Sequence, residues 1–323
     1  MTPIKLSILE LGYRKGDNSL AIVNDILQYG VKADELHFAR LWLAEHHHAH
    51  PLHPYTSPEI IMTLLAGYTE QIRIGSAGAL IGYSSPYSLA SNYKLMNNLF
   101  NNRIDFGFSK GRPGNWRKHD YFKLRNEEHI QLFRGNLNSI CELYDNEMQK
   151  FEEEEIVLPP FAGQRPQLWY LSNSYQDAEL AINKKMNYCR SLIHGLGILN
   201  KNYQKEELDC YRCRFHEVNG YCPDAAIALA VSFTKTQQEI REEEARAVNP
   251  REAFSVVAVT PDSLGELLYE YQDLYGIDEF VLYDTETEAD KKTENLFKIS
   301  ETFHLLSTVK FLKIRSSGSL CFR

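Results

Sequence analysis

Long apolar runs are missing from this chain. No window approaches the ~20 residues that a membrane-spanning helix requires, so no helical membrane span is expected. The first ten residues lack a basic stretch followed by an apolar one, which argues against a secretory leader and for a cytoplasmic location. Cysteine is scarce: six in 323 residues do not make a disulfide scaffold. A clustered basic face is absent too, since the net charge is -8 and the lysines and arginines are scattered, which excludes a nucleic-acid footprint. There is no internal repeat and no glycine-rich phosphate loop of the dinucleotide type. These absences leave a small molecule as the expected partner.

What is present is enough apolar material for one large core, 43% of the chain. Apolar strand-like runs alternate with helix-like segments from end to end, the signature of parallel βαβ units. Eight strands are predicted, at residues 4–9, 40–44, 72–77, 103–108, 167–171, 188–193, 227–233 and 279–283. Most are continuously apolar rather than alternating, as strands covered on both faces must be. Helices are predicted at 19–29, 58–69, 86–100, 127–143, 175–185, 203–215 and 263–275, with a last one near 293–306. Ser57 before Pro58, Ser85 before Pro86 and Thr260 before Pro261 offer capping hydroxyls with proline at the first helical position. The expected fold is an α/β (β/α)8 TIM barrel, one domain over 1–310 with insertions near 145–166 and 234–255 and a tail at 311–323. The first insertion reads as an exposed loop or short excursion, the second as a charged, solvent-facing helix, and the tail as disordered.

Cys210, Cys213, His216 and Cys222 superficially resemble zinc-ligand spacing. The surrounding segment from Tyr203 reads instead as an amphipathic helix in which the cysteines are ordinary small packing residues, and no metal is expected.

In barrels of this kind the reactive groups sit at the C-terminal ends of the strands. Strand two runs from Arg40 directly into Glu45, His46, His47 and His48, with His50 and His53 following. Histidine titrates nearest neutrality, so a cluster at a strand end offers proton transfer, metal ligation or anion contacts. Pro51 and Pro54 would splay the later histidines apart, which counts against a metal and leaves His48, His50 and His53 as loop residues. Strand three delivers Ala77 and Gly78, strand four Ser109, Lys110, Gly111 and Arg112, and strand five Leu171, Ser172, Asn173 and Ser174.

These segments together resemble the bacterial luciferase-like flavin-dependent monooxygenases. The resemblance is carried by Leu41-Trp42-Leu43-Ala44-Glu45-His46-His47, Thr56-Ser57-Pro58-Glu59, Gln71-Ile72-Arg73-Ile74-Gly75-Ser76-Ala77-Gly78, Ser85-Pro86-Tyr87 and Asn102-Arg103-Ile104-Asp105-Phe106-Gly107-Phe108-Ser109-Lys110-Gly111. It continues more loosely through residues 166–174 and 275–282. It implies a barrel that binds reduced FMN from a separate flavin reductase and couples it, through a flavin C4a hydroperoxide, to oxygen and an organic substrate. His46 would then be the catalytic histidine at the reactive edge of the ring, with Glu45 and His47 beside it. Ala77-Gly78 would be a pair joined by a non-proline cis peptide beneath the ring. Lys110 stands where the family often has an arginine on the phosphate side, keeping the charge without the bidentate fork. Ser109, Leu171, Asn173 and Ser174 complete the cofactor set, Asn173 and Ser174 as phosphate contacts before a helix starting at Tyr175. The family commonly pairs through the helices at 58–69 and 86–100, so a homodimer is expected. The alternatives are a deazaflavin-dependent oxidoreductase of the same fold, or a non-catalytic flavin-binding companion subunit.

Overall fold

The computed structural model describes residues 3–47, 50–111, 129–193, 201–233, 236–246 and 255–306. The apolar runs form parallel strands: β1 Lys5–Glu10, β2 Arg40–Leu43, β3 Arg73–Ser76, β4 Ile104–Phe108, β5 Gln167–Ser172, β6 Asn187–Ser191, β7 Ala225–Ser232, β8 Val256–Ala258 and β9 Glu279–Asp284. Eight of them close a ring, β1 to β7 in order and then β9, which pairs with both β7 and β1. The expected (β/α)8 barrel is thus the observed fold, with each predicted strand within two residues of its observed bounds.

The ninth strand, β8, corrects the sequence reading. It pairs with Ala230–Ser232 of β7, beyond Ala228, the last β7 residue matched by β6, and Ser255 N–H donates to Ile193 O at 2.8 Å. It extends the barrel wall where β6 has ended. Three residues carry too little apolar periodicity to register as a strand next to the charged segment before them.

Outside the ring lie α1 Ser19–Glu35, α2 Pro58–Tyr68, α3 Pro86–Leu99, α4 His129–Asp145, α5 Glu147–Glu154, α6 Ala178–Asn183, α7 Lys201–Asn219, α8 Gln237–Arg246, α9 Pro261–Tyr275 and α10 Ala289–Thr302. Ser85 caps α3 by accepting Ser88 N–H, and Thr260 forms a full capping box with Ser263 on α9. Ser57 makes no side-chain cap bond, although Pro58 does open α2. The first insertion, expected as a loop or short excursion, contains α5, whose residues face solvent. The second contains α8, as expected. The tail at 311–323 lies outside the described residues.

Side chains alternate across the wall, which divides the core in two. Ile8, Leu41, Leu43, Ile74, Leu168 and Tyr170 point outward into the layer between strands and helices. Leu9, Trp42, Trp169, Ala226, Ala228 and Val281 fill the lumen. Trp42 and Trp169 meet edge to face at 5.5 Å, the arrangement their ring quadrupoles favour. This indole leaves no room on β3: a Cβ on Gly75 would lie 2.5 Å from Trp42 ring carbons. Beneath the tryptophans, Arg40 donates to Asp105 at 2.9 Å and to Glu279, Ser7 Oγ donates to Glu279 at 2.7 Å, and Arg73 binds the other oxygen of Asp105 at 2.6 Å. Arg40, Asp105 and Glu279 are buried, so each must be paired to be tolerated. The floor of the barrel is closed by this network; its mouth is open.

Candidate active site

Eight strand ends converge on one cavity of about 260 Å3 at the C-terminal face of the barrel. Its walls have two characters. Leu9, Leu11, Trp42, Ile193, Ala228 and Val281 supply an apolar side from β1, β2, the end of β6, β7 and β9. Ser109, Lys110, Ser172 and Asn173 supply a polar side from the ends of β4 and β5, with His46 and Ala77–Gly78 between. Of the residues singled out from sequence, His46, Ala77, Gly78, Ser109, Lys110, Leu171 and Asn173 therefore line one pocket.

The loops that carry them are held by specific bonds. After β2 the chain turns through Glu45, whose Oε2 accepts Leu80 N–H at 2.8 Å and whose Oε1 accepts His47 Nε2–H at 3.0 Å. His53 Nε2–H donates to the His46 carbonyl at 2.9 Å, so the backbone at His46 is pinned from the far side of the loop. After β3 the Ala77–Gly78 peptide is cis, as the resemblance implied. Ala77 N–H still bonds Leu43 O at 2.7 Å, and Ala79 N–H bonds Gly107 O at 2.8 Å, so the chain stays on both neighbouring strands through the turn. A Cβ at Gly78 would lie 2.8 Å from Ser109 N and 2.9 Å from Phe108 C; only glycine lets β4 come this close.

After β4, His129 Nε2–H donates to the Lys110 carbonyl at 2.7 Å and Tyr83 donates to the other ring nitrogen at 3.3 Å. The Lys110 ammonium pairs with Asp177. Trp42 Nε1 is buried in the pocket wall without a hydrogen-bond partner among the described residues.

Three of the expected residues stand outside the lining. Glu45 and His47 pair with each other behind it. Ser174 lies beyond it, its carbonyl accepting the Tyr188 hydroxyl at 2.5 Å. The helix expected from Tyr175 begins at Ala178, so three residues separate Ser174 from the first helical turn. His48 and Arg112 lie outside the described residues. Cys210, Cys213 and Cys222 are exposed on or just after α7, and no three potential metal ligands meet among the described residues.

Sequence reasoning passed over Trp42, Cys189, Ser191 and Ile193 as lining residues and Asp177 as a partner. The first four had a signal: on a strand of known direction, every second residue before the C-terminal end faces inward. Asp177 had none, being seven residues past Tyr170 with no periodicity to place it beside Lys110.

Comparison with known proteins agrees with the fold. Residues 6–278 match the family described as Luciferase-like monooxygenase. The N-acetyl-S-alkylcysteine monooxygenase of Bacillus subtilis is 27% identical over 180 residues, 54% of this chain and 53% of that protein. Among solved structures, the oxygenating constituent of 3,6-diketocamphane monooxygenase from the CAM plasmid of Pseudomonas putida, in complex with FMN, superposes with a TM-score of 0.66 at 13% identity, covering 93% of this chain and 96% of that one. An F420-dependent secondary alcohol dehydrogenase in complex with an F420-acetone adduct reaches 0.68 at 10% identity, covering 92% and 98%. No helix among the described residues is long and apolar enough to cross a membrane.

Proposed function

We propose, from the premise that this chain belongs to the luciferase-like monooxygenase family, that it is the oxygenating component of a two-component system: a separate reductase supplies reduced FMN, and this chain couples it to oxygen and a small organic substrate. The observation that carries this reading is the convergence of His46, Ala77–Gly78, Ser109, Lys110, Leu171 and Asn173 on one strand-end pocket. The pocket chemistry fits an amphiphilic, flat-ringed cofactor with an anionic tail, because one side is apolar and the other offers hydroxyls, an amide and a lysine ammonium.

Reduced FMN, when bound, supplies the electrons that activate dioxygen. The protein does the rest. The Trp42–Trp169 pair closes the lumen below and keeps water from reaching the site through the barrel. Gly78, by letting β4 pack close, sets the pocket wall against which a ring would lie. Lys110 and Asn173, with Ser109, would hold the phosphate side. His46 would hold or move a proton at its imidazole beside the reactive edge, a general acid–base role open to histidine. Glu45 and His47 act from behind by fixing the loop.

The chain works in this reading as a homodimer in the cytoplasm. The experiment is anaerobic titration with FMNH2 and with a reduced deazaflavin, followed by mixing with oxygen and stopped-flow spectra. Tight FMNH2 binding and an oxygen-dependent spectral transient are expected. Preference for the deazaflavin with no oxygen reaction would replace the reading with a hydride-transfer one. No affinity for either, with stoichiometric zinc or iron in the purified protein, would overturn it.

A further inference from the structure

The cation that lines the barrel mouth is not presented alone. Lys110 Nζ donates to Asp177 Oδ2, and Asp177 Oδ1 lies 3.4 Å from an Arg134 guanidinium nitrogen. The carboxylate is the fixed member of the three: its side chain is 9% exposed, against 34% for Lys110 and 59% for Arg134. Burial works against its ionisation, yet the hydrogen bond from Lys110, the neighbouring Tyr170 hydroxyl and the charges of Lys110 and Arg134 outweigh that and hold the Asp177 carboxyl below its ordinary range. The Lys110 backbone is pinned by His129. Its side chain, four methylenes long and a third exposed, is the part free to choose between Asp177 and a ligand in the pocket.

We propose that Asp177 is a built-in counter-charge to the cofactor's phosphate, the residue that sets how tightly the mouth holds an anionic tail. This rests on the reading above, in which that phosphate sits beside Lys110. An arriving phosphate must take Lys110 from Asp177 or share it, and in either case meets a fixed negative charge. Lys110, Arg134 and Asp177 together carry a charge of +1 (two cations, one carboxylate); without the carboxylate they would carry +2. Binding is therefore weaker than the two cations alone would make it, and weaker only for ligands with the phosphate. A loose hold suits a cofactor that must arrive reduced and leave oxidised on every turnover.

The test is Asp177→Asn, which preserves shape and removes charge, with Asp177→Ser as a second variant and circular dichroism to verify the fold. Each is titrated, beside the wild type, with FMN and with riboflavin, at low and at high salt. The expected result is FMN binding tightened by ~10-fold at low ionic strength, a gain that shrinks as salt screens it, with riboflavin unchanged. Equal tightening of both ligands would overturn the inference, because it would reflect a reshaped pocket rather than charge. Weaker FMN binding would also overturn it, since Asp177 would then be serving to aim Lys110. If wild type binds FMN and neither variant binds it more tightly, the inference fails alone. If wild type binds neither ligand in either redox state, the cofactor reading fails and takes the inference with it.

Discussion

Glu45 Oε2 accepts the backbone N–H of Leu80 at 2.8 Å while Glu45 Oε1 accepts His47 Nε2–H at 3.0 Å. One side chain thus ties the loop that carries His46 to the loop that carries Ala77–Gly78, and the relative position of these two pocket elements depends on it. Leu80 is 5% exposed, so its N–H has little water to turn to if the carboxylate is removed. Glu45→Ala should cost about 1–3 kcal/mol in urea denaturation, the penalty of an unsatisfied buried donor. Glu45→Gln keeps a carbonyl oxygen for Leu80 and should cost less. Equal losses would show that the bond to Leu80 contributes nothing.

His46 is the imidazole of the pocket lining, and its backbone carbonyl is held by His53. His46→Ala should therefore lower turnover at saturating reduced flavin by ~100- to 10,000-fold. Its flavin dissociation constant should stay within a few-fold of wild type. Lys110→Ala should do the reverse, weakening binding with little effect on the rate at saturation. Unchanged turnover in His46→Ala would remove the acid–base assignment.

Behind the barrel wall, Glu10 is completely buried, bonded by Arg14 at both oxygens and by Gly12 N–H at 2.7 Å. Lys292, also buried, donates to the carbonyls of Asp284 and Glu286. Burial would raise the Glu10 carboxyl, but the charges of Arg14 and Lys292 outweigh it and hold the group below 4.5. Between that lowered value and 4.5 the unfolded chain binds more protons than the native one, so this contribution is present above 4.5 and lost as pH falls through the folded value. Burial pushes Lys292 down, against the pull of Glu10, to about 8 from an ordinary 10.5. Across that interval the unfolded chain again binds more protons, so stability gains a rising component between pH 8 and 10.5. Urea midpoints measured from pH 3 to 11 should show both limbs. Lys292→Met should flatten chiefly the alkaline one; an unaltered alkaline slope would contradict the assignment.

The apolar excess of α2 and α3 divides between two faces. Ile61, Leu65, Leu89, Tyr93 and Met96 are buried against the barrel, while Ile60, Leu64, Leu95 and Leu99 are 40 to 64% exposed. Several large exposed apolar side chains on neighbouring helices are what a subunit interface requires. Light scattering at micromolar concentration should give a dimer, and Leu64→Glu combined with Leu99→Glu should give a folded monomer. A monomeric wild type would dismiss the interface.

Much of this molecule was legible before any coordinates. The continuous apolar runs of β1 to β7 and β9 reflect burial on both faces, a local property of each segment, and so did the strand ends that carry His46, Gly78, Lys110 and Asn173. Proline after serine or threonine located the starts of α2, α3 and α9, because its fixed φ and missing N–H are likewise local properties. The tertiary structure alone decided what those residues meet. It set Glu45 behind the pocket rather than in it, moved the start of α6 past Ser174, added β8 to the wall, and seated Asp177 on Lys110 across 67 residues of chain. Periodicity records which face of an element is buried, because that is repeated along the segment. It holds no record of a single contact between side chains brought together from different strands, since such a contact arises only when the ring closes and fixes the distance between their ends.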